Sequence, residues 1–145
     1  MQFDIECEDV SGDCLIVYET GTGANNQFSY RTYNASSGIL SGATAVAVAA
    51  AQNSPFRWIS LYPKYNSDVI GIALQNEVNT GPELEAGIWD GSNFGNWVEP
   101  YNDLPPEVLT TRGYDCGWEG SSGQLDCFFG RDGSDGMWGY MWDGV

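Results

Sequence analysis

The sequence contains one hairpin-like pattern more than once, and this repetition constrains the fold more than any other feature. The segment 3–18 aligns without a gap with the segment 114–129. A diverged middle copy runs from Trp58 to Leu74 through a turn at 66–68, at a spacing of about 55 residues from each neighbour. In each copy, two apolar runs flank Ser, Gly, Asn or Asp, residues that tolerate the positive φ of tight turns. Each copy is therefore predicted to begin with a β-hairpin.

A second landmark recurs in all three copies, namely an aromatic residue followed by Asn or Asp. It occurs at Tyr33-Asn34, Trp89-Asp90 and Trp142-Asp143. Each unit then reads as strand, turn, strand, loop, strand, turn, strand. The sequence predicts an all-β chain of tandem antiparallel four-stranded units within a single repeat domain spanning 1–145. Unit 1 covers about 1–55, unit 2 about 56–111 and unit 3 about 112–145, the last being incomplete.

The sequence of the expected fourth strand differs from unit to unit. In unit 1 the alternating small residues of 43–51 predict a strand, with a short alanine-rich helix as the alternative. In unit 2 the corresponding region contains Pro100, Pro105 and Pro106, which cannot donate to a sheet ladder, so the strand is expected at 107–111. Unit 3 stops at Val145, before its fourth strand.

Composition excludes several classes of function. The 20 acidic residues against 5 basic ones give a net charge of −15, which repels nucleic acids and anionic membranes. Histidine is absent, which excludes histidine-containing catalytic triads and zinc sites with imidazole ligands. No apolar stretch is long enough to insert into a membrane, and the first ten residues lack signal-peptide features, so an export signal would belong to a longer precursor.

Acidic residues cluster at the first hairpin, and a carboxylate pair there could in principle hydrolyse a glycoside. However, Asp4, Glu6 and Glu8 share one parity and are therefore expected to line one solvated strand face. A sialidase-type turn motif is not reproduced at 90–97. The chain is accordingly predicted not to be an enzyme.

The four cysteines flank two of the predicted turns. Cys7 and Cys14 flank Val10-Ser11, and Cys116 and Cys127 flank Ser121-Ser122. Transferred onto unit 1, the second pair falls at Ile5 and Ile16, in the same register and on the same sheet face as the first pair. Two local disulfides are predicted, with a four-cysteine zinc site or free buried cysteines as the alternatives. Disulfides imply an oxidising compartment, so the protein is expected outside the cell or on its surface.

Several of these segments resemble the blade repeats of bacterial and archaeal surface β-propellers. They are Phe3-Asp4, Ser11-Gly12-Asp13, Leu15-Ile16-Val17-Tyr18, Tyr30-Arg31-Thr32-Tyr33-Asn34 and Ile88-Trp89-Asp90-Gly91. The similarity covers nearly the whole chain. It implies tandem β-propeller-like blades, and it implies architecture more securely than activity.

Three kinds of binding or modification site are suggested by individual residues. Trp97, Tyr101 and Trp138 are the rings least tied to repeat positions and therefore candidates for stacking on sugars. Asp132 and Asp135 could contribute to a calcium-binding loop, although a plain turn explains them better and no cofactor is otherwise implied. Asn34 begins an Asn-Ala-Ser glycosylation sequon at an expected turn.

The incomplete third unit suggests the function. An unpaired strand edge is a template for a strand from another chain. The sequence therefore predicts a non-enzymatic extracellular structural protein that self-associates through open sheet edges, as a filament, fibre or surface scaffold. The alternatives are a carbohydrate-binding propeller module or a fragment of a larger adhesin.

Overall fold

The computed structural model describes residues 2–20, 26–48, 54–76, 83–101, 112–130 and 136–143. Within these residues the chain forms twelve β-strands and no helix, and every strand pairing is antiparallel. The predicted all-β class is therefore confirmed. The strands form three separate sheets, one within each of the ranges assigned to the units.

Sheet 1 contains five strands in four positions. They are β1 (Phe3–Cys7), β2 (Cys14–Tyr18), β3 (Gln27–Asn34), β4 (Ile39–Leu40) and β5 (Thr44–Ala47). β4 and β5 pair with opposite ends of the same edge of β3, so together they occupy the fourth position. The alanine-rich helix considered for this region is wrong for 44–47, because these residues form β5.

Sheet 2 is a four-stranded meander. Its strands are β6 (Phe56–Pro63), β7 (Ile70–Asn76), β8 (Leu84–Trp89) and β9 (Phe94–Tyr101). The fourth strand was expected at 107–111, which lies outside the described residues; the structure instead places it at β9, which includes Pro100. A proline is tolerated there because, among the described residues, β9 is an edge strand with no strand paired on its outer side.

Sheet 3 has three strands in the described residues, and they pair in sequence order. They are β10 (Tyr114–Trp118), β11 (Leu125–Gly130) and β12 (Met137–Trp142).

The first hairpins of sheets 1 and 3 have the same turn in atomic detail. The backbone nitrogen of Gly12 donates to Glu8 O at 3.1 Å, and that of Gly123 donates to Glu119 O at 2.9 Å. Gly12 and Gly123, which occupy the same place in the repeat, have φ of 74° and 73°. A side chain at either position would be strained, so both turns require glycine.

Sheet 2 packs against a neighbouring sheet on each face. Ile70, Ile72 and Leu74 belong to one core cluster with residues of sheet 1. Ala73, which points the other way, packs with residues of sheet 3. Every residue of β7 and β8 is buried as a result, which explains why these strands read as nearly continuous apolar runs.

Candidate interaction surfaces

The turn of the first hairpin connects sheet 1 to sheet 2 through Glu8. This carboxylate accepts a hydrogen bond from the indole nitrogen of Trp89 at 2.8 Å and another from the hydroxyl of Ser11. Glu8 is only 8% exposed, so both bonds replace solvent that burial removes. The aromatic-Asp landmark of unit 2 is thus held by the acid of the preceding unit.

Other acidic residues of the first hairpin also accept hydrogen bonds across the sheets. Asp4 Oδ2 accepts from the backbone nitrogen of Leu61 at 2.8 Å. Asp9 Oδ2 accepts from the backbone nitrogen of Asn66 at 2.7 Å. The expected solvated face is therefore wrong for Asp4 and Glu8, because Asp4 accepts from a backbone nitrogen of sheet 2 and Glu8 accepts from the indole of Trp89.

Glu119 holds the corresponding place in the third unit, with different partners. Its carboxylate accepts from the backbone nitrogen and the hydroxyl of Ser121, at 2.9 Å and 2.8 Å, and from the backbone nitrogen of Ser122. These donors lower the pKa of Glu119 to about 2, the bond from the Ser122 backbone contributing most. Within the described residues, the carboxylate accepts hydrogen bonds only from its own turn.

Both predicted disulfides are present. Cys7 is bonded to Cys14 and Cys116 to Cys127, with Cα–Cα distances of 3.9 Å and 4.1 Å, and no described cysteine is free. Each pair is directly opposite in the strand register. Two such bonds indicate a non-reducing environment.

The three rings proposed for sugar stacking lie in different surroundings. Trp97 is stacked on Phe94 and meets Phe28 edge-on, within the core between sheets 1 and 2. Tyr101 is stacked on Phe129 in a second cluster. Only Trp138, on β12, is exposed. The structure does not bring the three rings together, and two of them have a packing role.

Asn34 uses its side-chain amide within the fold. The nitrogen donates to Asp13 Oδ2 at 2.8 Å, and the amide oxygen accepts from the backbone nitrogen of Ser37. Asp132 and Asp135 lie outside the described residues. Among the residues that the structure does describe, no group of three potential metal-ligating side chains comes together.

A buried carboxyl that the sequence did not single out lies at Glu85. It is paired in register with Leu74, on the face of sheet 2 that packs against sheet 1. Neither carboxylate oxygen has a hydrogen-bond partner in the described residues. Burial, followed by the charges of Glu99 and Glu83, raises the pKa of Glu85 to about 8. The only sequence signal is an acid within an otherwise apolar run.

Sheets 1 and 3 each have one apolar face turned away from sheet 2. Strand register places Phe3, Ile5, Ile16 and Tyr18 on the outward face of sheet 1, and Phe128, Met137 and Met141 on that of sheet 3. The exposed fractions are 63% for Phe3, 48% for Ile5, 47% for Phe128, 76% for Met137 and 72% for Met141. Contiguous exposed apolar side chains of this size are typical of interaction surfaces.

The fold and these surfaces define an all-β protein of stacked antiparallel sheets with two disulfides. No protein-family model matches the chain, and neither the curated proteins nor the solved structures contain a match to it. None of the described residues forms a helix that could cross a membrane.

Proposed function

We propose that the chain is a non-enzymatic, extracellular structural protein whose units stack like propeller blades and that assembles with copies of itself. The observation that carries this proposal is the pair of outward apolar faces on sheets 1 and 3. Among the described residues, sheet 2 packs against a neighbouring sheet on both faces, whereas sheets 1 and 3 each pack against a sheet on one face only. Self-assembly covers the two faces that the chain leaves exposed.

The contacts between the first strands of the sheets favour a blade-like arrangement. β1 lies beside β6, where Asp4 accepts from Leu61. β6 in turn lies beside β10, where the indole nitrogen of Trp118 donates to Tyr62 O at 2.8 Å and the hydroxyl of Tyr62 donates to Asp115 at 3.0 Å. Innermost strands that lie side by side, with later strands further out, are the pattern of propeller blades.

A structural role also accounts for the acidic residues. Asp4, Glu8 and Asp9 accept hydrogen bonds at the contact between sheets 1 and 2, so their positions are explained without a reaction. The two disulfides suit a protein that persists outside the cell, where the reducing thiols of the cytosol do not cleave them.

Light scattering and electron microscopy of the 145-residue chain test self-assembly. We expect particles well above the monomer mass of 15.8 kDa, growing with protein concentration into regular elongated polymers. Because a net charge of −15 opposes association, the polymers should be favoured by raising the salt concentration. Compact particles of the monomer mass at all concentrations and salt levels would refute the proposal.

Carbohydrate binding is the second candidate, favoured by a cleft of about 270 Å³ beside Glu8. Its walls include aromatic and hydroxyl side chains, among them Tyr30, Thr32 and Ser41. Glycan-array binding that is lost in Thr32→Trp, which would fill the cleft, but kept in Trp138→Ala would place sugar recognition there. The absence of binding across the array would remove this candidate.

A further inference from the structure

We propose that copies of the chain associate head to tail, with the outward face of sheet 3 in one copy packing on the outward face of sheet 1 in the next. This inference rests on the proposed self-assembly and specifies its interface. The partner is a second copy. Sheet 3 of one copy would contact sheet 1 of the next copy in the way that sheet 1 contacts sheet 2 within the chain.

The outward face of sheet 3 corresponds to faces that are covered inside the chain. Leu15 and Val17 of sheet 1 point toward sheet 2 and are buried. The repeat aligns these positions with Asp126 and Phe128, which point away from sheet 2. The exposed Phe128 therefore lies on the face of sheet 3 that corresponds to the face with which sheet 1 contacts sheet 2.

The outward face of sheet 1 corresponds to faces that receive a preceding sheet. In sheet 2 the receiving positions include Ile72, which packs against sheet 1. In sheet 3 the same position is Cys127, which packs against sheet 2. In sheet 1 it is Ile16, which shares the outward face with Phe3 and Ile5. One copy thus carries both halves of the contact. They are the outward face of sheet 3, called the donating face, and the outward face of sheet 1, called the receiving face.

A polar pair at the edge of this contact supports the same docking. Tyr33 and Trp89 are equivalent, because each is paired in register with the first residue of its sheet's second strand. Inside the chain, Trp89 donates to Glu8 of the preceding unit at 2.8 Å. Glu119 is equivalent to Glu8, so head-to-tail docking brings the Tyr33 hydroxyl of one copy to Glu119 of the other. A phenol donates to a carboxylate as an indole does.

The repeat units do not all carry an acid at the position of Glu8 and Glu119. The corresponding turn residue in unit 2 is Lys64, which donates to Gly123 O at 3.0 Å and lies 4.6 Å from the ring centroid of Trp118. The ring equivalent to Trp89 in sheet 3 is Trp142, and its indole nitrogen has no partner among the described residues. Glu8 therefore accepts from an aromatic donor at the contact between sheets 1 and 2, and Glu119 would do so at the proposed contact between copies. At the contact between sheets 2 and 3, the corresponding residue is Lys64.

Head-to-tail contact makes an unambiguous prediction for two blocked variants. Phe3→Lys blocks the receiving face, and Met141→Lys blocks the donating face. Each variant keeps one working face, so neither should associate alone, whereas an equimolar mixture should form a dimer and stop there. The double variant, which carries both substitutions, should remain monomeric even at high concentration. Tyr65→Lys, which introduces the same charge at an exposed ring on neither face, should polymerise like the unaltered chain.

The measurement is sedimentation velocity on the disulfide-bonded chain, with circular dichroism to verify that each variant folds. Should a variant fail to fold, Ile5→Lys and Met137→Lys replace Phe3→Lys and Met141→Lys on the same faces. In the dimer formed by the blocked variants, adding Tyr33→Phe to the Met141→Lys partner should weaken association about tenfold, equivalent to about 1.4 kcal/mol. The same change in the Phe3→Lys partner should have no effect, because its Tyr33 does not face the contact.

The outcomes separate this interface from the proposed function. An unaltered chain that stays monomeric contradicts self-assembly itself. The unaltered chain could assemble while both blocked variants also assemble, or while one blocked variant forms dimers alone. Either result contradicts the head-to-tail interface but leaves self-assembly intact. Dimerisation of the mixture with no effect of Tyr33→Phe in either partner would retain the faces and remove the Tyr33–Glu119 pair.

Discussion

The contact between sheets 1 and 2 and the contact between sheets 2 and 3 join equivalent units in different ways. The first is filled by large rings, including Phe28, which meets both Phe94 and Trp97 edge-on, and is bordered by the Glu8–Trp89 hydrogen bond. The second places the small residues Gly71 and Ala73 against sheet 3. A Cβ at Gly71 would come within 2.9 Å of Leu125, so the backbone of sheet 2 approaches sheet 3 closely.

This difference shows that the repeat specifies the position of each sheet but not how the space between sheets is filled. Where both faces contribute rings, polar ties lie at the margin of the contact. Where one face is small, the neighbouring sheet supplies the volume, and the Cys116–Cys127 disulfide lies within the contact itself. The Cys7–Cys14 disulfide, by contrast, lies on the outward face of sheet 1.

Removing the disulfides should cause the largest losses of stability, and the two losses should differ. Cys116→Ala with Cys127→Ala should lower the free energy of unfolding by about 4 kcal/mol, because it opens a covalent loop and also deletes sulfur atoms between sheets 2 and 3. Cys7→Ala with Cys14→Ala should cost about 2.5 kcal/mol, essentially the loop term alone. Guanidinium unfolding of both double variants measures the difference. Equal losses would mean that the second disulfide contributes no packing.

The contact between sheets 1 and 2 should also have a distinctive pH dependence, because it contains Glu85. The folded-state pKa of Glu85 is raised from 4.5 to about 8, so the folded state retains a proton that the unfolded chain releases. The contribution of Glu85 to stability is therefore fully present below about pH 4.5 and is lost as the pH rises through 8. We expect unfolding free energy to fall by about 2 to 4 kcal/mol between pH 5 and pH 8.

Glu85→Gln should remove most of this slope and raise stability at pH 8, since an amide of the same shape carries no charge to bury. The matched control is Glu99→Gln, which leaves Glu85 in place but deletes a charge that raises its pKa, so the slope should shrink only in part. Thermal unfolding at half-unit pH intervals provides the data. A slope unchanged by Glu85→Gln would assign the titration to another group.

Much of this architecture could be predicted from the sequence, because the hairpins carry local signals. The turn glycines and the register of Cys7 with Cys14 follow from turn chemistry and period-two alternation. The position of β9 could not, since Pro100 excludes a central strand but not an edge strand, and the sequence does not show which strand is an edge.

The candidate surfaces were harder to predict for a related reason. Alternation along β1 correctly places Asp4 opposite in orientation to Phe3, but it cannot show which face a neighbouring sheet covers. Along β1 the covered face carries the acids and the outward face carries Phe3 and Ile5, the reverse of the usual arrangement, whereas on β2 the covered face carries Leu15 and Val17. Likewise, Trp97 and Tyr101 occupy no repeat position, yet both pack in clusters between sheets.

The smallest expected effect concerns the indole groups at the margins of the two contacts. Trp89 and Trp142 are equivalent and buried, but only Trp89 donates to a carboxylate, that of Glu8. Phenylalanine removes the indole nitrogen and part of the ring in both cases, so the packing losses should be similar. Trp89→Phe additionally deprives the buried Glu8 of a donor, and a hydrogen bond to a charged group contributes about 1.5 to 3 kcal/mol. In Trp142→Phe the loss of an unpartnered buried donor offsets part of the packing cost instead. We therefore expect Trp89→Phe to destabilise the chain by about 2 kcal/mol more than Trp142→Phe, measured by urea unfolding.

Repeating the comparison in a Glu8→Gln background should narrow this gap in stability between the two variants, because the bond to Trp89 then loses its charge. A gap that persists unchanged in that background would show that packing around the two rings, and not the Glu8 bond, distinguishes the two contacts.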